Sequence, residues 1–188
     1  MSPILETERL VLRSPTLSDA TAIAAGVGDW QVAKNLARVP HPYTQSDAEA
    51  FLARVGVTAD LVLGITLKCG AAYIGGCGAR ACADGAYEIG YWLARPYWGF
   101  GYASEAVRAV VSYAFEVLGA TYLTAGWFDD NPNSGRVLQK LGFVPAGVSL
   151  RDCLARRERI FCHDMILEPA MLTAPIGVSS VERRSLQP

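Results

Sequence analysis

The sequence predicts an α+β domain built around one central, mixed and mostly antiparallel sheet of about seven strands flanked by helices. Three observations carry that expectation. Strand-like runs between residues 61 and 93 are joined by turns too short for anything but antiparallel pairing. Helical patterns are inserted between the later strands, and a glycine-rich turn joins one strand to the clearest helix. The chain has 188 residues, 51% of them hydrophobic and 19% charged, which suits one well-packed domain. Residues 1–169 are assigned to that domain. Residues 170–188 have little periodicity and a Pro-Ile-Gly break, and form a C-terminal tail that is either flexible or docked on its own or a neighbouring subunit.

In chain order, Arg9 to Arg13 alternates like a short strand. Ser18 and Asp19 offer an N-cap for an alanine-rich helix reaching about Val27. The stretch from Val39 to Tyr43 holds two prolines and must be a loop, because each restricts the residue before it. Ser46-Asp-Ala-Glu49 has the pattern of a capping box opening a helix to about Val55. Strands follow at 61–69, 72–80 and 87–93. From Ala103 to Leu118, Val107, Val110, Val111, Ala114, Phe115 and Leu118 share one helical face, with Ser104, Arg108, Ser112 and Glu116 opposite; Gly119 ends the helix. A strand at 122–128 precedes a helix opened by Asp130-Asn-Pro132 and stopped by Gly142. Two last strands, 144–150 and 160–167, are joined by the charged segment Arg151 to Arg159.

Seventeen basic and eighteen acidic side chains leave a net charge of −1, which argues against nucleic acid as the main partner. No window reaches the roughly 18 consecutive apolar residues of a membrane span. The first residues carry acids and no apolar core of a signal peptide, so a cytoplasmic protein is expected. Five cysteines without Cys-x-x-Cys spacing fit reduced thiols and give no metal site; His41, between two prolines, has no partner spaced to share a metal.

The chemistry concentrates in Tyr87 to Ser104, where a strand runs through a glycine turn into a helix. Gly99, Gly101 and Ala103 keep the turn nearly free of side chains, so backbone amides and the positive end of the helix dipole converge on one point. That is a cradle for phosphate. No Lys-Ser or Lys-Thr follows, so it is not a Walker loop. Ser104 replaces the third glycine of a dinucleotide fingerprint, and strands paired antiparallel precede it.

Trp98-Gly-Phe-Gly101-Tyr-Ala103 resembles the pyrophosphate loop of the GNAT superfamily of acetyl-CoA-dependent N-acetyltransferases, and Tyr97 to Ala106 is closer still to its RimJ/RimL-type branch. Glu6 to Arg13, Glu88 to Leu93 and Asn131 to Phe143 resemble the same branch in the same order, so the likeness covers about residues 4–168. Trp98 stands where many members have Gln or Arg. The resemblance implies a sheet splayed between its fourth and fifth strands, with acetyl-CoA as cosubstrate in the gap. It implies that Trp98, Gly99, Phe100, Gly101, Tyr102, Ala103 and Ser104 hold the pyrophosphate, and that Trp92, Leu93 and Ala94 offer backbone contacts to pantetheine. Asn131 and Ser134 approach the pantetheine and sulfur. Arg136 and Lys140 either meet the outer phosphates or form a solvated helix face.

The family places a carboxylate where Glu88 stands, to take the amine proton directly or through water; a salt-bridged strand residue is the alternative. Removing a proton at pH 7 costs about 1.4 kcal/mol for an α-amine and about 4.6 for a lysine, so a weak base suits the former. Many members protonate the leaving thiolate with a tyrosine at the position of Leu138, which cannot donate. Ser134, one turn earlier on the same face, is the branch's substitute, stabilising the leaving sulfur by a hydrogen bond more than by full proton donation; a serine that merely caps or packs is the alternative. Trp30, His41, Tyr43 and Trp127 are candidates for the acceptor pocket, with ordinary packing as the rival role, and the segment 151–158 either attracts an acidic acceptor or is a solvated hairpin loop. The expected activity is direct transfer of acetyl from acetyl-CoA to a primary amine, a protein N-terminus or a small amine, by a monomer or homodimer. A non-catalytic acyl-CoA-binding module is the alternative.

Overall fold

The computed structural model describes residues 3–171 of the chain. Strands β1 (Leu5–Glu6) and β2 (Leu10–Arg13) are followed by three helices, α1 (Ala20–Gly28), α2 (Trp30–Ala33) and α3 (Gln45–Leu52). Then come β3 (Leu61–Leu67), β4 (Tyr73–Ala81), β5 (Tyr87–Leu93), α4 (Tyr102–Glu116) and β6 (Leu123–Phe128). The last elements are α5 (Pro132–Lys140), β7 (Val144–Cys153) and β8 (Glu158–Leu167). All eight strands form one sheet in the order β1-β2-β3-β4-β5-β6-β8-β7. The strand beyond the expected seven is β1, two residues that fold back on β2.

Every neighbouring pair is antiparallel except β5 and β6, which run parallel because α4 carries the chain across. Those two strands pair only at Tyr87 with Leu123 and at Glu88 with Thr124. Past Glu88 they part, and the sheet opens into a wedge.

Alternation of β5 sends its side chains to two packed layers. Ile89 and Leu93 join Val107, Val110 and Val111 of α4 and Leu138 of α5 in the main core. Trp92 points the other way, onto the cluster of Ala20, Ile23, Val27 and Ala48 from α1 and α3. A third cluster, Ala33, Phe128, Cys153, Ala155 and Cys162, anchors α2 to the far end of the sheet. All five cysteines are free thiols.

Asp19 stands at the N-cap of α1 as expected, and the short turn Leu17–Asp19 before it is capped by Thr16, whose amide donates to Asp19 (2.7 Å). Three local expectations need correction. The capping box of α3 is Thr44 with Asp47, two residues before Ser46 and Glu49: Thr44 is extended, and its amide donates to the Asp47 carboxylate (2.7 Å). Ser112 is buried on α4 and donates to Glu116 (3.1 Å) instead of facing water. The charged segment 151–159 is mostly strand: β7 runs to Cys153 and β8 starts at Glu158, because Cys153 and Ala155 bury themselves against α2 and Phe128. Of the expected tail, only Ala170 and Met171 are among the described residues, and Met171 packs on the main core.

Candidate active site

The wedge exposes one edge of β5. The Tyr87 amide donates to Tyr122 across the gap, while the Ala94 amide donates to Ile74 of β4. With a two-residue repeat, odd-numbered residues of β5 therefore present their backbone to the opening and even-numbered ones to β4. Past the last paired residue, the open positions are Ile89, Tyr91 and Leu93. Of the three residues expected to offer backbone contacts, Leu93 faces the gap; Trp92 and Ala94 face β4. The Leu93 carbonyl already accepts from Trp98 Nε1 (2.8 Å), so Trp98 closes the far end of that edge.

Beyond Trp98 the chain turns at Gly99 (φ +85°) and Gly101 (φ +82°), conformations that a side chain would strain. No atom lies within 4 Å of where a Cβ on Gly99 would stand, and only the Arg9 guanidinium approaches that of Gly101. Helix α4 starts at Tyr102, and the Glu105 amide is the first to return, to Gly101 (3.1 Å). The amides of Tyr102, Ala103 and Ser104 thus have no partner within the helix, and they point out of its positive end. Arg9 supports the turn: it donates to the Phe100 carbonyl (2.9 Å), pairs with Glu105 (2.6 Å) and lies over the Tyr102 ring. Glu105 would repel an anion at this helix start, and Arg9 offsets it. Sequence reasoning saw Arg9 only as a strand residue, since their adjacency is created by folding.

Helix α5 closes the wedge from the main-core side. Leu138 is fully buried, and Ser134 lines the cavity one turn before it. Tyr91 reaches Ser134 from β5: its hydroxyl lies 2.7 Å from Ser134 Oγ and 3.0 Å from the Ser134 carbonyl. Burial pushes the Tyr91 phenol up to about 12, while the bond to Ser134 works the other way, so the hydroxyl keeps its proton at working pH. Tyr91 was missed in the sequence, where it reads as one more aromatic of a buried strand face. Asn131 caps α5, accepting from the Ser134 amide (3.1 Å); Arg136 and Lys140 are exposed at the cavity rim, and Arg136 donates to Asn133 (2.8 Å).

Glu88 sits at the root of the wedge on the opposite face of the sheet. Its Oε2 accepts from Arg80 (2.6 and 3.1 Å) and from Arg38 (3.0 Å), and its Oε1 from Arg151 (2.6 Å). Arg151 also binds Asp164 (2.5 Å). Burial works to raise the Glu88 pKa, but the hydrogen bonds and charges of Arg80 and Arg151 prevail and hold it below the ordinary carboxylate range. Arg151 reaches Glu88 across β6 because residue 126 is glycine, where a Cβ would stand 3.2 Å from its Cζ. Next to Glu88 on the same face is Gly90, where a Cβ would meet nothing within 4 Å.

The acceptor candidates are divided. Tyr43 packs with the α1–α3 cluster and borders the cavity. Trp127 also borders it but lies on the α5 side, its ring against Gly135 and stacked on His163 at 4.1 Å. Trp30 is partly exposed, edge-on to His41 at 5.2 Å, and does not line the cavity. Phe100 and Ala94 do not line it either.

One cavity of about 1230 Å³ connects all this, from the Gly99–Ser104 turn past Tyr91 and Ser134 to Glu88 and Arg151. Among the described residues no helix is long and apolar enough to cross a membrane, and no group of three His, Cys, Asp or Glu is placed to hold a metal.

A parallel wedge entered past a glycine turn at a helix start is a seat for an extended ligand with an anionic head. The chain belongs to the GNAT acetyltransferases: residues 9–144 match the family model described as an acetyltransferase (GNAT) domain. It is 36% identical over 155 residues to the uncharacterized N-acetyltransferase YoaA of Bacillus subtilis, covering 79% of this chain and 86% of that protein. Among solved structures, RimJ of Mycobacterium smegmatis in complex with CoA-disulfide superposes with a TM-score of 0.77 at 17% identity, over 93% of this chain and 90% of that one. Spermidine N-acetyltransferase of Vibrio cholerae in complex with CoA and spermine gives 0.76 at 15% identity, over 88% and 98%. The fold and the family thus agree with what the motifs implied.

Proposed function

We propose that the protein is an N-acetyltransferase that moves acetyl from acetyl-CoA directly to a primary amine, either a protein N-terminal α-amine or a small amine. The observation that carries this reading is the bare edge of β5, with Ile89, Tyr91 and Leu93 turned into the wedge beside the unpartnered amides of Tyr102, Ala103 and Ser104. Those two features match the two halves of coenzyme A. An extended pantetheine adds to a strand edge through its amides, and a pyrophosphate seats on amides at a helix start. Gly99 and Gly101 leave room for it, and Arg136 and Lys140 at the rim suit the outer phosphates.

In this reading the neutral amine attacks the thioester carbonyl from the Glu88 face, the C–S bond breaks, and the thiolate takes a proton on the α5 face. Tyr91 and Ser134 serve that second step together. The phenol can donate to the Ser134 carbonyl or to Ser134 Oγ; when it donates to Oγ, the serine proton points at the sulfur, and as that proton moves to the thiolate the phenol proton moves to Ser134 Oγ, with water restoring the one on Tyr91. Glu88 receives the amine proton through water. Because its neighbouring guanidiniums make it a weak base, it suits amines already partly neutral at pH 7, α-amines before lysines or polyamines.

Release of free coenzyme A thiol tests the reading, with acetyl-CoA and a panel of N-terminal peptides and small amines. Turnover with at least one amine, with the acetylated product seen by mass, is the expected result. Tight coenzyme A binding without thiol release from any acceptor would instead mark a binding module.

A further inference from the structure

Three arginines converge on the Glu88 face of the wedge. Arg38, Arg80 and Arg151 come from the α2–α3 connection, β4 and β7, and all three donate to the one carboxylate of Glu88. Asp164 takes one further bond from Arg151. A guanidinium carries five N–H donors, so most of those on the three arginines remain unspent. Asp60 also lines the cavity and acts on Arg80, so the surplus on this wall is one of unspent guanidinium donors. Arg156 pairs with Asp130 at 2.9 Å, and Lys34, which lines the cavity, acts on the same Asp130. Here Arg38 reaches down from the connection that covers the pocket, and its side chain is still 68% exposed. Next to this wall, Gly90 leaves its space empty.

We infer that the amine acceptor carries a carboxylate close to its amino group, which Arg38, Arg80 and Arg151 hold while the amine lies over Gly90 towards the gap. The inference rests on the transfer reading above and narrows it. Same-face neighbours on a strand are about 7 Å apart, so carboxylate and amine are separated by only a few bonds. Short amino acids fit that spacing, and so does a peptide whose first residue is Asp or Glu. A polyamine does not, since its charges would meet like charges in the wall. Guanidinium forks bind carboxylates through paired, charge-assisted hydrogen bonds, which gives the wall its selectivity.

The test compares acceptors that differ by one charge, by thiol release at fixed acetyl-CoA. Glycine and β-alanine are set against their amides, a peptide amide beginning with Glu against the same peptide beginning with Gln, and spermine is added. The expected result is that kcat/KM is about tenfold or more higher for the carboxylate member of at least one pair. Which pair responds separates the small-molecule source from the peptide source. Arg38→Gln is expected to erase that ratio chiefly through acceptor KM, and Arg38→Lys to restore part of it. Glutarate, which has no amine, is expected to compete with the acceptor and not with acetyl-CoA. Equal rates for acids and amides, or spermine as the best acceptor, would overturn the inference while leaving acetyl transfer standing. Absence of thiol release from every acceptor would remove the transfer reading, and the inference with it.

Discussion

The Tyr91 hydroxyl lies 2.7 Å from Ser134 Oγ, joining the open strand of the wedge to the helix that closes it. Neither side chain alone provides both a proton and a direction. The phenol is buried and holds its proton, and Ser134 is the hydroxyl that borders the cavity beside it.

The pair is expected to act as a unit. Tyr91→Phe and Ser134→Ala should each lower kcat by about 10- to 100-fold, with little change in the KM for acetyl-CoA. The double variant should be scarcely worse than the weaker single, because groups sharing one step are not additive. Steady-state thiol release on the four proteins measures this. Full turnover in Ser134→Ala would end the proposal.

The glycine turn should separate donor affinity from chemistry. Gly101→Ala places a Cβ on a backbone with φ +82°, at a strain of about 1–3 kcal/mol. The melting temperature should fall by several degrees. Because the distortion sits where the α4 amides converge, the Kd for coenzyme A should rise by more than tenfold. Calorimetric titration and a thermal melt read the two effects.

Gly90 offers the opposite test. Its φ is not positive and a Cβ there meets nothing, so Gly90→Val should keep the melting temperature and coenzyme A affinity. The added side chain fills the acceptor's space, and acceptor KM should rise by about tenfold or more, a loss of order 1–3 kcal/mol in fit. Unaltered acceptor kinetics would move the amine site elsewhere.

Glu88 makes a prediction about pH and stability. Its folded pKa lies below its unfolded one, so the unfolded chain binds protons more readily in that window. The stabilisation is complete above the ordinary value near 4.5 and fades as pH falls through the folded value. Glu88→Gln, which leaves the arginines without their shared anion, should be less stable at pH 7 by about 1–3 kcal/mol. Melts between pH 7 and pH 3 should show the gap to the parent closing as the acid end is approached.

Features held by adjacent residues were legible in the sequence. The glycine turn, β5 from Tyr87 to Leu93 and the α4 stripe were all given by local pattern, and the structure keeps them. What local pattern cannot encode is which distant residues meet. Glu88 was readable as a carboxylate at a strand start. Its partners Arg38 and Arg151 lie 50 and 63 residues away, so its lowered pKa was not readable. Charge misled at 151–159, because a hairpin strand alternating between solvent and a buried cluster has the composition of a loop. The capping box expected at Ser46 and Glu49 is instead Thr44 with Asp47, which starts the helix earlier.

The hydrogen bond from Trp98 Nε1 to the Leu93 carbonyl makes the wedge a gauge of length. An arm that binds by strand addition finds free sites only from Ile89 to the Leu93 amide, about 13 Å of chain. A shorter arm would leave donors unmet, and a longer one would overrun the turn where its anionic head must seat. The same closure also protects the molecule from itself. An unpaired strand edge usually invites copies to stack, but this one is bounded by β6 at one end and by the Trp98 indole at the other, which leaves only a short stretch to pair.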